Sequence, residues 1–203
     1  MKKRESKIRE ELSVLTSADA SEIAKIHMQA LNGDFLPSLG LNFLKTFYSG
    51  VVDKRNVHGF AFRVDGKIYG FVVGTTDSRT FFKEAIKSKF ASLLIFLLIG
   101  LVKRPANIKN IFETFLYPKK EKGLKAELVV IAVGRRYRGL GIGKKLTKEL
   151  EKVFVQKNIK KYKVTVHADK AAVNFYEHLG YSRKSSFSLY DKMWYMYEKK
   201  IKL

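Results

Sequence analysis

Between Arg138 and Lys144 the chain reads RGLGIGK, with Gly139, Gly141 and Gly143 at every second position. Backbone N–H groups at a helix start bind phosphate, and the helix dipole favours negative charge there. Glycine removes the side chains that would hold a phosphate away from those amides. Arg138, Lys144 and Lys145 add positive charge. Such a segment can seat a diphosphate ahead of residue 144.

Spacing tells which kind of cradle this is. A Walker loop needs four residues between its first glycine and its Gly-Lys pair. Here only three separate Gly139 from Gly143-Lys144, and Thr147 is misplaced for magnesium. The dinucleotide fingerprint needs two residues between its second and third glycines. Gly141 and Gly143 have one, and the loop lies late in the chain instead of opening the first strand–helix unit. Neither nucleotide class fits.

The elements that must position this loop are legible on both sides. Leu124 to Val133 reads as an apolar strand running into it, and Gly141 to Asn158 as a helix with a basic outer face running out of it. Upstream, Ile8 to Leu15 reads as a strand and Ala20 to Leu31 as a helix capped by Ser17 or Asp19. Pro37 and Gly40 break the chain before a helix over Leu41 to Val52. Gly59 to Val64 and Ile68 to Gly74 flank Asp65-Gly66, a two-residue hairpin turn. Downstream follow a strand at Lys163 to Ala168, a helix at Ala171 to Leu179, and a hairpin of Ser185 to Tyr190 with Met193 to Lys199. The expected fold is α/β, a mixed sheet flanked by helices, in one domain spanning 1–203.

Between the third and fourth strands, Arg79 to Pro118 reads as two helices joined near Pro105. The first would carry the apolar run FASLLIFLLIGLV, Phe90 to Val102, flanked by Lys83, Lys87, Lys89, Lys103 and Arg104. About 20 apolar residues are needed to span a bilayer, so this run suits a buried helix or one lying at a membrane surface. The expected place for it is against the domain, a second copy of the chain, or lipid met through 83–104.

Composition narrows the chemistry further. The 203 residues are 46% hydrophobic and 13% aromatic, enough for a real core. With no cysteine, thiolate nucleophiles, disulfides and cysteine-ligated zinc are excluded. Forty Lys and Arg against nineteen Asp and Glu give a net charge of +21, spread along the chain and not gathered into an arm. Such a field attracts polyanions, which leaves a cationic module for nucleic acid or protein as the second reading. The charged start, Met1 to Arg9, is no secretory signal, and the expected compartment is the cytoplasm.

The pattern Arg138-x-x-Gly141-x-Gly143, with its preceding strand and Arg136-Tyr137-Arg138-Gly139, resembles the acetyl-coenzyme A motif of the GNAT superfamily of N-acetyltransferases. A second match follows in Ala172-Val173-Asn174-Phe175-Tyr176 and Leu179-Gly180-Tyr181. The resemblance implies a GNAT-like, mostly antiparallel sheet. It also implies acetyl-CoA as co-substrate, no metal, and an amine acceptor whose identity the sequence does not give.

The same resemblance assigns roles. Arg138, Gly139, Gly141, Ile142, Gly143 and Lys144 would hold the diphosphate. The strands Leu128–Val133 and Lys163–Ala168 would splay, so that the pantetheine arm bonds the backbone near Ile131 and Val133. Tyr176 matches the tyrosine that in many relatives protonates the departing thiolate, and Asn174 would touch the coenzyme. Glu127 is the candidate base, with His167 as its rival. Asp169 stands where the family often has Asn and would only cap the next helix, while Arg135 and Arg136 reach a phosphate or stay solvated. Phe35 to Leu41 and Tyr48 would border the acceptor.

Overall fold

The computed structural model describes residues 9–103, 109–110, 113, 123–168 and 170–201. Seven strands form one sheet in the order β1-β2-β3-β4-β5-β7-β6. They are β1 (Glu10–Val14), β2 (Val57–Val64), β3 (Lys67–Thr75), β4 (Glu127–Val133), β5 (Lys161–His167), β6 (Ser182–Leu189) and β7 (Lys192–Lys200). Every neighbouring pair is antiparallel except β4 with β5. The helices are α1 (Ala20–Ala30), α2 (Phe35–Ser38), α3 (Leu41–Val51), α4 (Ser78–Ser88), α5 (Phe90–Lys103), α6 (Ile142–Gln156) and α7 (Lys170–His178). This is the mixed sheet with flanking helices that the residue patterns predict.

The β2–β3 hairpin turns at Asp65 (φ 47°) and Gly66 (φ 80°), the two positive angles that a tight hairpin needs. Along β3 side chains alternate between faces: Phe71 and Val73 enter a core with Ile23, Leu44 and Tyr48, and Val72 enters another with Leu146, Leu150 and Phe154. On the second face a buried polar network joins α6, β5 and β7. The Tyr162 hydroxyl donates to Glu151 (2.6 Å) and meets that of Tyr181, and Lys199 pairs with Glu151 (2.7 Å).

Three local expectations are corrected. The start of α1 is not capped by Ser17 or Asp19. A single 3-10 turn, Ser17–Asp19, precedes it, and the Thr16 N–H donates to the Asp19 carboxylate (3.0 Å). Asp19 is drawn off by Arg63, 2.8 Å away. Pro37 does not break the chain but sits in the first turn of α2, where its missing N–H would have had no partner. The apolar run does not share a helix with Arg79 to Ser88, because the chain turns at Lys89. Phe81 and Leu93 are both buried on the core side. In one straight helix, residues twelve apart would point about 120° away from each other. The expected joint at Pro105 lies outside the described residues.

α6 lies close on the sheet because β3 offers it two glycines. A Cβ at Gly70 would come within 3.2 Å of Ile142, and one at Gly74 within 2.6 Å of Leu150 and 3.2 Å of the Glu127 carbonyl. Leu150 is fully buried and has little room to retreat. Gly74→Ala should therefore cost about 1–3 kcal/mol by overpacking. Urea unfolding should show a lower midpoint, and an unshifted one would mean that α6 is not seated on Gly74.

Candidate active site

β4 and β5 begin as neighbours and then part. Only Glu127↔Lys163 and Leu128↔Val164 are in register. The cause lies on the other edge of β4. Leu128 faces Gly74 and Val130 faces Val73, which leaves Val129 as an extra residue, a β-bulge. A bulge bends the strand that carries it, and pairing with β5 stops at that point. The bend opens a cavity of about 1180 Å³ walled by Val129 to Val133 on one side and Thr165 to His167 on the other. Ile131 and Val133 are both on this wall, half-buried.

At the mouth of the gap the glycine loop enters α6. Gly141 (φ 75°) is the N-cap residue and Gly139 has φ 82°, left-handed angles that favour glycine. Among the described residues no side chain caps the helix. Intrahelical bonding starts with Lys145 N–H to the Gly141 carbonyl, so the N–H groups of Ile142, Gly143 and Lys144 have no carbonyl within the helix. A Cβ on Gly139 or Gly141 would meet nothing within 4 Å and would stand in the open space ahead of the helix. Gly143 serves packing instead: its Cβ would come within 3.0 Å of the Phe175 ring. Gly139, Gly141, Ile142, Gly143 and Lys144 all line the cavity.

The neighbouring cations divide. Lys144 is exposed at the cavity edge. Lys145 is turned away, pairing with Glu10 of β1 (2.9 Å) and lying over Phe62. Arg138 also lines the cavity, but two of its donors are engaged, one with the Val133 carbonyl (3.2 Å) and one with the Ala30 carbonyl at the end of α1 (3.1 Å). It joins the tip of β4 to α1. Arg135 and Arg136 are exposed on a 3-10 turn.

Tyr176 reaches the cavity from α7, packed against Phe175, Tyr181 and Tyr197. Burial pushes its hydroxyl pKa up, which keeps the proton on at any physiological pH. That hydroxyl has no hydrogen-bond partner among the described residues. Asn174 is exposed at the cavity edge, and its carbonyl accepts from His178 Nδ1 (2.6 Å). The capping role expected of Asp169 lies outside the described residues.

The far end of the cavity is closed by α1, α2 and α3. Of Phe35 to Leu41 and Tyr48, expected along the acceptor, Phe35, Leu36 and Tyr48 line the cavity, whereas Leu39 is buried against Gly100 of α5. Glu127 lines this end, buried, with Lys163 Nζ 3.6 Å from its carboxylate. His167 lines it too, its ring edge-on to Trp194 at 5.5 Å. Sequence reasoning missed His27, Asp34, Lys192 and Trp194, which share this wall. His27 Nδ1 and the Tyr48 hydroxyl share a 2.5 Å hydrogen bond, and burial lowers the imidazole pKa to about 4, so the ring is neutral. Burial raises the Asp34 carboxyl, against the pull of Lys192 and His167. One signal was available: His27 lies four residues after Ile23, on the apolar stripe of α1, where a polar ring needs a reason.

The sequence profile of the acetyltransferase (GNAT) domain family matches residues 120–195. That segment is similar to the GNAT acetyltransferase domain. It contains the glycine loop, both diverging strands and Tyr176. Solved structures share the wider fold. The ribosomal-protein-S18-alanine N-acetyltransferase of Escherichia coli superposes with a TM-score of 0.61 at 16% identity, over 96% of each chain. The PaiA N-acetyltransferase of Thermoplasma acidophilum, in complex with coenzyme A, gives 0.58 at 14% identity, over 95% of this chain and 99% of that one. A GNAT-family acetyltransferase of Streptococcus pneumoniae gives 0.58 at 18% identity, over 95% and 100%. Curated proteins gave no match. GNAT acetyltransferases use acetyl-CoA, and the GNAT segment here fits it: an uncapped helix start, free space ahead of two left-handed glycines, and a gap between strands for the arm.

Two predictions follow from this geometry. Gly141→Glu would set a carboxylate in the open space ahead of α6, where a diphosphate would sit. Like charges about 4 Å apart repel by about 4 kcal/mol at a protein surface, close to three decades in affinity. Calorimetric titration with coenzyme A should show binding lost, and retained affinity would refute the cradle. For His27 the unfolded chain takes a proton near pH 6.5 that the folded chain refuses until about 4. Stability present above pH 6.5 is therefore lost as pH falls through that window, on the order of 3 kcal/mol in full. Urea melts should show His27→Gln losing less stability than the wild type across this range, and parallel losses would clear His27 of any part.

Proposed function

We propose that the protein transfers an acetyl group from acetyl-CoA to a primary amine by direct attack, without a covalent enzyme intermediate. The observation that carries this reading is the continuity of one cavity from the uncapped start of α6, along the β4–β5 gap, past Tyr176, to the aromatic end at α1–α3. A cationic binding module would need the +21 charge but not this channel.

Acetyl-CoA supplies the activated acyl group and a thiolate leaving group. The amides of Ile142, Gly143 and Lys144, with the Lys144 ammonium, hold the diphosphate. The open edge of β4 at Ile131 and Val133 aligns the arm, and Asn174 borders it. The amine nitrogen forms its new bond to the acyl carbon as the carbon–sulfur bond breaks. Orientation of this kind removes much of the entropic barrier. The amine must also lose a proton. Glu127 and His167 both line the cavity and are the candidates to take it. Tyr176 holds a proton for the departing sulfur. The burial that keeps it protonated also makes it a weak acid, so it acts first as a hydrogen-bond donor to the developing negative charge.

Thiol release measured over a panel of amines tests the activity and finds the acceptor. Within that assay Tyr176→Phe should lower kcat by about a hundredfold, in the range of general acid effects. Its affinity for coenzyme A should stay within about threefold, since the ring remains packed. Undiminished turnover would remove the tyrosine from the chemistry.

A further inference from the structure

We infer that α5 is a docking helix for an anionic membrane surface. Most helices that are apolar all round are buried all round. α5 is apolar nearly all round, yet only half of it is covered. Leu93, Phe96, Leu97 and Gly100 face the protein, with Gly100 close enough to Leu39 that a Cβ would lie 3.3 Å from its side chain. Phe90, Leu94, Ile95, Leu98, Ile99 and Val102 face outward; the least exposed of them, Leu94, shows 41% of its surface and Val102 shows 86%. Their spacing of three, four and one makes them a single helical face.

Three observations choose the occupant. The exposed lysines Lys83, Lys87 and Lys89 lead into the helix, so charge that favours anionic headgroups adjoins the apolar face. A second copy of the chain is disfavoured, because it would bring a second +21 against the first. The face is also small. Fourteen residues make a helix about 21 Å long and about 10 Å across, well short of the roughly 800 Å² a side that a stable pair buries. Among the described residues no helix is long and apolar enough to cross a membrane. α5 would therefore lie in the interface plane, its outward face among the acyl chains and the lysines at the headgroups. Gly100 packs on Leu39, three residues from Leu36 of the cavity wall, so lipid would lie about one helix diameter from the acceptor end. The inference does not depend on the acyl-transfer reading.

The test is co-sedimentation of the full chain with vesicles of phosphatidylcholine alone or with roughly 30% phosphatidylserine. Wild type should partition to the anionic vesicles, less so at high salt. The double variant Ile95→Asn/Leu98→Asn changes two exposed side chains without changing charge. It should bind at least about tenfold more weakly while keeping the wild-type thermal midpoint. Lys83→Gln/Lys87→Gln should weaken binding by about fivefold per lysine on anionic vesicles only. Equal partition of wild type and the Asn variant would overturn the inference. So would binding to neither vesicle, or a concentration-dependent dimer that the Asn variant abolishes.

Discussion

The channel between β4 and β5 opens at one extra residue in a central strand. Val129 has no partner on β3, so β4 bends, and two parallel strands that share a register at Glu127 and Leu128 are apart by Ile131. A sheet that stops pairing in its middle leaves main-chain polar groups without a neighbour, and such groups need another partner. Here they face a channel. The closed end of the gap is fixed by the buried Glu127–Lys163 pair. Breaking such a pair from one side leaves an uncompensated charge, which is far more costly than the pair itself is stabilising.

The helix that uses the gap is placed by absence of side chains. Gly70 and Gly74 lie under Ile142 and Leu150, two turns apart on α6, so the helix rests on the sheet at both points. Its start is thereby aimed at the mouth of the gap. The cradle's charge is local for the same reason. Of the cations near the loop, Lys145 is held by Glu10, and Arg138 ties β4 to α1 through main-chain carbonyls. The amides and Lys144 are left to face an anion. The +21 of the whole chain is not what defines this site.

The sequence reveals those parts that short-range chemistry decides. Asp65-Gly66 permits one kind of turn, and the alternating glycines before α6 permit one kind of helix start. Both were readable without a structure. The bulge was not, because LVVIAV is a continuous apolar run in which no Gly or Pro marks Val129 as the odd residue. The turn at Lys89 was hidden likewise: Ser88-Lys89-Phe90 carries no breaker, and only the need to bury both Phe81 and Leu93 forces it. The partners of Arg138 and Lys145 were hidden in the same way. A charge count assigns them to the loop, whereas their partners, Ala30 and Glu10, are more than a hundred residues away in sequence.

The contrast between the two ends of the cavity has a structural source. The coenzyme end is built within one segment, from β4 to α7. The proposed acceptor end is assembled from distant pieces, and the described residues of the insert between β3 and β4 contact several of them. Its first helix puts Phe81 into the wall. Farther on, Glu113 accepts the Tyr190 N–H (2.5 Å) and Lys109 pairs with Asp191, at the tip of the β6–β7 hairpin. Tyr190 and Asp191 both have φ 56°, a conformation that costs a non-glycine residue about 1–2 kcal/mol. The insert's contacts and the packing of Tyr190 on Phe35, 5.0 Å between centroids, offset that strain. Phe35 and Tyr190 also line this end of the cavity. A motif can therefore identify the coenzyme, while the other end of the cavity, where the acceptor is proposed to bind, is a surface that exists only once the insert, α2 and the last hairpin have met.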